Sequence, residues 1–373
     1  MYSSLNPSIL MSLSTYKPSL EQLRMISGID EFKGAWRLLR TIAPERLSAL
    51  RRIATIESIG SSTRIEGVKL TNAQVEALLQ QVDLSQLVSR DEQEVAGYAD
   101  LMDVIFASWE SLALTENHIK QLHGILLKYS AKDERHRGNY KTIPNNVEAF
   151  DADGNRIGIV FETSSPFDTP FAMMELVRWT RTTLDERSVH PLIVIAIFVV
   201  TFLAIHPFHD GNGRLSRALT TLLLMRCGYH FVPYISLEAT IELTKESYYL
   251  ALRRTQASFN SDLPDWDAWI AYFLTILHTQ MTQLERKVDT NDIGTSHLSE
   301  LALEILTLAT EFGRITTSDI LKATGQKPGT VRNRINELCA LGLLTRHGKA
   351  RATWYVHGPK TQEGLQRSLT SKW

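Results

Sequence analysis

Cysteine is nearly absent from this sequence: Cys227 and Cys339 are the only two in 373 residues. Both stand inside apolar patterns of helical spacing, so we expect buried thiols, and neither a disulfide nor a metal pair. The sequence therefore does not belong to the class of small secreted scaffolds that disulfides hold together.

A large net charge of either sign is also absent: 40 Lys and Arg against 41 Asp and Glu leave a formal net charge of −1. No overall field draws the chain to nucleic acid or to an anionic membrane. The longest apolar run, Leu192 to Ile205, has 14 residues, whereas a membrane-spanning helix needs roughly 20. We expect a buried helix there and no membrane partner. Since no basic-then-apolar leader opens the chain, we also expect a cytoplasmic location.

Apolar side chains recur at helical spacing through most of the chain, which predicts a mainly α fold. The helical segments are predicted near 32–59, 72–82, 90–109, 115–129, 167–184, 190–205, 214–227, 244–257 and 264–286. Two apolar runs, Asn145–Phe150 and Ile157–Phe161, flank Asp153-Gly154. This pattern predicts a β-hairpin with a short turn.

Beyond the polar residues 289–296, the pattern predicts a separate unit of three helices and two short strands, which is typical of a winged helix-turn-helix. Residues 314–357 carry eight Lys and Arg against two acids. The basic residues predicted to be exposed on the third helix and the wing are Lys327, Arg332, Arg334, Arg346, Lys349 and Arg351. Such a basic face suits DNA phosphates, so DNA is one expected partner. Docking or dimerisation is the alternative.

The most distinctive segment is His206-Pro-Phe-His-Asp-Gly-Asn-Gly-Arg-Leu-Ser-Arg217. Its two glycines let the backbone turn sharply and bring N–H groups close to an anion. The apolar run that follows predicts a helix, so the turn lies at a helix N-terminus, where a phosphate is favoured. Arg214 and Arg217 can bind adjacent phosphates from one helical face. Asp210 suits Mg²⁺, and His206 has a pKa that suits a general base.

These twelve residues resemble the Fic family signature, H-P-F-x-[D/E]-G-N-G-R-x-x-R, and fill every specified position. The resemblance extends over roughly residues 20–290, and it includes His190-Pro191-Leu192 before the signature. It implies transfer of AMP from ATP to a Tyr, Thr or Ser hydroxyl of a target protein, or of the chain itself. The competing interpretation of His209-Asp210, as the doublet of a metal-dependent phosphohydrolase, leaves the glycines and arginines without a role.

The resemblance implies a role for each residue of the signature. His206 is expected to take the proton from the target hydroxyl, and Asp210 to hold Mg²⁺. The residues expected to bind the phosphates of ATP are His209, Asp210, Gly211, Asn212, Gly213, Arg214 and Arg217. Other members of the family transfer different phosphate-containing groups or remove AMP, so these reactions stay open. A DNA-binding regulator that uses the core to sense nucleotide is the alternative from another class.

Upstream, Ser62, Glu66 and Gly67 resemble the family's inhibitory motif, [S/T]-x-x-x-E-[G/N]. The resemblance implies that Glu66 pairs with Arg217 and so removes the cation that should hold the γ-phosphate of ATP. A competing explanation is local, because Thr63-x-x-Glu66 also has the spacing of a capping box at a helix N-terminus.

Three further residues are expected to bind the nucleotide or its base. The hairpin corresponds to the family's flap, along which a target segment adds as a strand, and Val147 is the flap residue expected to touch nucleotide. Tyr249 and Gln256 resemble the residues that receive the adenine, although such side chains on an amphipathic helix also pack in cores. The flap begins after Arg137-Gly-Asn-Tyr-Lys141, which resembles the family's Gly-x-aromatic-Arg segment with lysine in place of arginine.

The predicted architecture is a mainly α protein: a Fic-type helical core with a β-hairpin flap, plus a C-terminal winged helix-turn-helix. We predict an N-terminal helical region over 1–110 that carries the inhibitory motif, a catalytic core over 111–288, and the winged helix over 297–373. The expected partners are ATP, a target protein, a second copy of the chain, and DNA through residues 314–357.

Overall fold

The computed structural model of this chain describes residues 16–42, 44–80, 87, 89–150, 156–259, 261, 264–288, 300–348 and 353–358. The chain divides into two compact units, Met1–Met281 and Thr282–Trp373. The three finer domain bounds stay predictions. Within the described ranges, no helix combines the length and apolar character that crossing a membrane requires.

The prediction of a mainly α fold is confirmed. The helices are α1 (Leu20–Ile42), α2 (Pro44–Ile65), α3 (Asn72–Leu79), α4 (Arg90–Ser108), α5 (Glu116–Leu126), α6 (Thr169–Glu186), α7 (Pro191–Ile205), α8 (Asn212–Arg226), α9 (Leu237–Leu243), α10 (Lys245–Ala257), α11 (Asp267–Val288), α12 (Glu300–Phe312), α13 (Thr317–Thr324) and α14 (Pro328–Ala340). The strands are β1 (Val147–Phe150), β2 (Arg156–Phe161), β3 (Leu344–His347) and β4 (Trp354–His357).

The predicted single helix over 32–59 is wrong, because α1 and α2 share this region. Pro44 is the first residue of α2, where its fixed φ and missing N–H suit a helix start. The helix predicted from residue 244 is preceded by the short helix α9, whose first turn is capped by Ser236: its hydroxyl accepts from the Ala239 N–H at 3.0 Å. Periodicity alone does not locate such breaks.

The hairpin is confirmed as an antiparallel pair in which Val147 lies opposite Phe161 and Phe150 lies opposite Arg156. β1 is shorter than predicted, since it begins at Val147 instead of Asn145. The turn assigned to Asp153-Gly154 lies outside the described residues.

The core of the first unit forms around α7. Every residue from Leu192 to Ile205 is buried, which confirms the buried helix. α6 and α8 pack against it, and Trp269 of α11 donates from Nε1 to the carbonyl of Ala196 at 2.6 Å. Burial on all sides fixes the end of α7, and therefore the position of the loop that joins it to α8.

The second unit has the predicted order of helices and strands. Thr316 and Asp319 cap α13 reciprocally: the Thr316 hydroxyl accepts from the Asp319 N–H at 3.2 Å, and the carboxylate accepts from the Thr316 N–H at 2.9 Å. Gly325 ends that helix with φ 65°, a conformation that favours glycine. β3 and β4 form an antiparallel wing in which Leu344 lies opposite His357.

Two sequence predictions on side-chain exposure need correction. Lys327, Arg332 and Arg346 are exposed as expected, but Arg334 is partly buried because its guanidinium pairs with Glu337 one helical turn away. Lys349 and Arg351 lie outside the described residues. Cys227 and Cys339 are free thiols, as expected, but they are only partly buried.

Candidate active site

His206 is the residue that ends α7. It takes a left-handed backbone conformation, φ 52° and ψ 58°, and its N–H donates to the carbonyl of Phe202. Its ring Nδ1 lies 3.2 Å from the carbonyl oxygen of Leu203. A carbonyl only accepts, so Nδ1 carries the hydrogen and Nε2 keeps the lone pair that can take a proton. Desolvation lowers the pKa of His206 to about 4, which keeps the ring neutral at pH 7.

The loop after His206 is held by side chains of its own sequence. Asn212 is buried, and its amide closes the loop by accepting from the Phe208 N–H at 3.0 Å and donating to the Phe208 carbonyl at 2.7 Å. Gly211 turns the chain with φ 79° just before α8. The tight loop places the N-terminus of α8 beside His206, while the predicted phosphate contact of Asn212 stays a prediction.

His123 of α5 also supports this loop, and the sequence analysis missed it. Its Nδ1 accepts from the Gly138 N–H at 2.8 Å, so Nε2 carries the hydrogen and donates to the Asp210 carbonyl at 3.0 Å. The ring stacks on Phe208 with centroids 3.8 Å apart. Burial lowers the pKa of His123 to about 4. The only signal in the sequence is a histidine on the apolar face of α5.

The segment Ser62–Gly67 and the signature meet at Arg217. This side chain is 3 % exposed, and its Nε donates to Ser62 Oγ at 2.9 Å. One terminal nitrogen donates to the Ser62 carbonyl and to Glu66 Oε1, both at 2.8 Å. Burial opposes the charge of Arg217, but the Glu66 carboxylate outweighs it and holds the pKa above its usual value. The predicted pairing of Glu66 with Arg217 is confirmed as a contact.

The alternative interpretation, that Thr63 and Glu66 form a capping box at a helix N-terminus, is wrong. α2 runs to Ile65, so Thr63 lies in its last turn, where the hydroxyl donates to the Ile59 carbonyl at 2.8 Å. Glu66 follows the helix C-terminus, and Gly67 turns the chain with φ 106°, a conformation that favours glycine. The motif is therefore the C-terminal turn of α2, directed at α8.

Gly213 shows how closely the two segments approach. A Cβ on this residue would lie 2.1 Å from Glu66 Oε1, so only glycine leaves room for the carboxylate. The residue sits in the first turn of α8, where free N–H groups and the helix dipole favour an anion. The Glu66 carboxylate thus occupies the end of α8 at which the sequence predicts phosphates.

Arg214 pairs with two carboxylates. It is 2 % exposed and lies 2.9 Å from Glu94 Oε2 and 3.1 Å from Asp210 Oδ1. Arg90 joins the same group through Glu94 Oε1 at 2.6 Å and Asp210 Oδ2 at 3.5 Å. The sequence analysis missed Glu94 and Arg90, whose only local signal is an i,i+4 pair of opposite charge.

Asp210 has the environment of an ionised carboxylate. Burial raises its pKa, but Arg214 and the Gly211 N–H, which donates to Oδ1 at 2.5 Å, hold the pKa below its usual range. The side chain is 32 % exposed. The described residues hold no cluster of three or more His, Cys, Asp or Glu side chains suited to a metal. A single carboxylate fits an Mg²⁺ whose remaining ligands come from phosphates and water.

The other predicted site residues lie around this centre in different environments. His209 faces the flap base, where its Nε2 accepts from the Thr142 N–H at 3.2 Å. Tyr249 is 36 % exposed, and its pKa is raised by burial and by nearby Glu66, which places it at the mouth of the site. Gln256 is buried in α10. Val147 belongs to β1, and its predicted contact with nucleotide stays a prediction.

Comparison with known proteins agrees with this geometry. Residues 113–224 match the Fic/DOC family, and residues 298–345 match the winged helix-turn-helix DNA-binding family. The protein adenylyltransferase Fic of Drosophila mojavensis is 31% identical over 236 residues, which cover 61% of this chain and 43% of the relative. This chain therefore spans less than half the length of that relative.

Two solved structures share the architecture. A Fic domain containing signaling protein from Bacteroides thetaiotaomicron is 25% identical, with a TM-score of 0.57 over 70% of this chain and 96% of that chain. A Fic family protein from Desulfovibrio desulfuricans is 23% identical, with a TM-score of 0.60 over 92% of this chain and 98% of that chain. The chain therefore has the fold of these two proteins, with residues 113–224 similar to the Fic/DOC family and residues 298–345 similar to winged helix-turn-helix modules.

Proposed function

We propose that this protein transfers AMP from ATP to a hydroxyl group of a target protein and that Glu66 holds it in an inhibited state. The observation that carries the proposal is the meeting of three groups at the start of α8: a neutral His206 with Nε2 free to accept, a helix N-terminus suited to phosphate, and a buried Arg217 held by Glu66. The adenylyltransferase name of the relatives supports the same reaction.

The chain's own residues account for each part of the transfer. His206 Nε2 takes the proton from a Tyr, Thr or Ser hydroxyl of the target while the hydroxyl oxygen forms a bond to the α-phosphorus. The bond between the α-phosphorus and the bridging oxygen breaks, and pyrophosphate leaves. The N–H groups at the start of α8, together with Arg214 and Arg217, stabilise the charge that develops on the phosphates.

Asp210 is the residue that would hold Mg²⁺. The Gly211 N–H donates to its Oδ1 and so fixes the carboxylate beside the start of α8. A bound Mg²⁺ would neutralise phosphate charge and orient the triphosphate. The Arg214 and Arg90 contacts keep this carboxylate ionised and fixed in orientation beforehand.

The inhibited state follows from competition for one cation and one helix end. The carboxylate of Glu66 lies against Gly213 and pairs with Arg217 at 2.8 Å, so a γ-phosphate cannot use the same positions at the same time. ATP then binds with its α-phosphorus displaced from the line of attack. A misplacement of about 1 Å costs on the order of 10²-fold in rate.

Incubation with ATP labelled at either the α or the γ phosphorus tests the reaction type. The purified chain with Mg²⁺ should incorporate label into protein, itself included, from the α position alone. Incorporation from the γ position would show phosphate transfer, and no incorporation combined with release of AMP from a modified protein would show the reverse reaction.

The second unit supports a further candidate function, which is DNA binding. The observation that favours it is the exposure of Lys327, Arg332 and Arg346 on the third helix and the wing, in a module whose family description is DNA-binding. Titration of labelled duplex DNA at increasing salt tests it, because each phosphate contact adds to the salt dependence. Binding that does not respond to salt would argue for a docking module.

A further inference from the structure

Lys141 carries a buried amino group beside the ends of the hairpin. Its side chain is 3 % exposed, and within the described part of the chain no carboxylate pairs with it. The ammonium instead donates to three neutral oxygens: Asn145 Oδ1 at 2.8 Å, Thr163 Oγ1 at 2.8 Å and the Ile205 carbonyl at 2.9 Å. A charged lysine has three hydrogens to donate, and each has an acceptor here.

The three acceptors belong to three different segments. Asn145 precedes β1, Thr163 follows β2, and Ile205 is the last residue of α7. The Thr163 hydroxyl also donates to Asn145 Oδ1 at 3.1 Å, so the two ends of the hairpin are bonded to each other as well. One side chain therefore joins both ends of the flap to the helix that terminates at His206.

The loop beyond α7 is bonded to the same cluster. Asn145 Nδ2 donates to the Phe208 carbonyl at 2.6 Å and to the His206 carbonyl at 3.2 Å. The Lys141 N–H donates to the Pro207 carbonyl at 2.8 Å. Each of the four consecutive carbonyls over 205–208 thus accepts from Lys141 or Asn145. A buried backbone carbonyl that loses its donor is destabilised, so this bonding fixes the loop.

We propose that Lys141, in its charged form, is a positioning residue that fixes the β-hairpin flap to the segment carrying His206. This inference deepens the proposed function and rests on it for its catalytic meaning: a target hydroxyl presented along the flap is placed in register with His206 only while the two segments are joined. Lys141 does not touch the reacting atoms. It acts through Asn145, Thr163 and the carbonyls of the loop.

The charge of Lys141 matters because a neutral amine has only two hydrogens for three acceptors. Burial lowers the pKa of Lys141 to about 7. The titratable groups that face it are His206 at the end of α7 and His209 in the loop. The cluster is therefore expected to lose a donor as pH rises through about 7. Arginine, which stays protonated, would remain charged in this range.

Backbone hydrogen exchange of the full chain measures the anchoring directly, in residues 141–150, 156–163 and 203–209. After correction for the intrinsic exchange rate, the backbone amides of these residues should be protected from exchange at pH 6 in the parent protein and less protected at pH 8.5. In Lys141→Arg the same amides should be protected at both pH values, and in Lys141→Met they should be protected at neither. Lys17→Met removes an exposed lysine and serves as the matched control, with exchange like that of the parent.

Initial rates of AMP transfer, measured in a Glu66→Gly background, supply the second readout. Lys141→Met should lower kcat for transfer to protein on the order of 10²-fold, as expected for a displaced hydroxyl, while the dissociation constant of a fluorescent ATP analogue stays within about twofold of the parent. The rate of the parent should decline as pH rises through about 7, because Lys141 then loses its charge. Lys141→Arg should keep the parent's rate at pH 6 and remove this decline.

The outcomes separate the two proposals. Exchange in Lys141→Met equal to that of the parent overturns the anchoring, whatever the activity. Absence of AMP transfer in every variant, with the expected exchange pattern, overturns the proposed function and leaves the anchoring standing. If Lys141→Met fails to fold, the comparison of the parent with Lys141→Arg across pH decides: equal protection of both proteins at pH 8.5 rules out a role for the lysine charge.

Discussion

Replacing Glu66 by glycine should raise the rate of AMP transfer, because it frees the cation that the triphosphate needs. The contact removed is a 2.8 Å hydrogen bond between a carboxylate that is 31% exposed and a guanidinium that is 3% exposed. Hydrogen bonds to charged groups contribute about 1.5–3 kcal/mol. At 1.4 kcal/mol for each tenfold change, the expected gain is roughly 10- to 100-fold.

The side chain of Arg217 should stay in place in this variant. Its two bonds to Ser62 are independent of Glu66, so the guanidinium remains at the start of α8 and only its third partner is lost. Glu66→Gln keeps the shape and a neutral hydrogen bond, and its gain should be smaller. Adding Arg217→Ala to Glu66→Gly should reverse the gain, since the arginine serves both the inhibitory contact and the phosphates.

The assay is the initial rate of label incorporation from α-labelled ATP for the parent, Glu66→Gly, Glu66→Gln and the double variant. Equal rates for the first three proteins would refute the reasoning and leave Glu66 as a structural contact at the end of α2. Loss of AMP removal in Glu66→Gly would instead assign the carboxylate to the reverse reaction.

Three further predictions concern the base, the buried histidine and the basic face. His206→Ala should lower AMP transfer by ~10²–10⁴-fold, the usual contribution of a general base, with ATP-analogue affinity close to that of the parent; a comparable rate in the variant would place the base elsewhere. The pKa of His123 is about 4 in the folded chain and 6.5 in the unfolded one, so the unfolded state binds more protons between these values. Stability should be full above pH 6.5 and fall by up to about 3 kcal/mol towards pH 4; urea unfolding across this range should show a weaker pH dependence in His123→Asn. Replacing Arg332 and Arg346 by glutamine should weaken any DNA binding and lower the slope of log K against log salt by about 0.9 for each lost contact. Arg334→Gln, which removes a partly buried, paired arginine, is the control and should leave the slope unchanged.

The sequence predicts the parts of the molecule that depend on local pattern. The sequence locates α7 and its burial, because Thr201 is the single polar residue in the run from Leu192 to Ile205. The signature locates the loop and the start of α8, since glycine turns and helix starts depend on neighbouring residues. The ambiguity at Thr63 shows the limit: the spacing of a capping box occurs here at the end of a helix, and only the bounds of α2 decide between the two.

The partners that complete the site come from distant parts of the chain. Glu94 binds Arg214, and His123 binds the carbonyl of Asp210, but neither residue belongs to a sequence motif that indicates such a role. Both contacts arise because α4 and α5 pack beside α8. The sequence marks Lys141 only as a replacement for arginine, because its three acceptors come together only where the ends of the hairpin meet the end of α7.

The backbone of His206 carries a cost that is separate from its chemistry. Its φ of 52° places a side chain with a Cβ in the left-handed region at the end of α7, a position that glycine occupies with least strain. For other residues this conformation costs of the order of 1–2 kcal/mol. The fold would be more stable with glycine there and would then have no imidazole. At this position the chain keeps an imidazole at the expense of stability, and the loop and hairpin bonded around it supply the rigidity that retains the strained conformation.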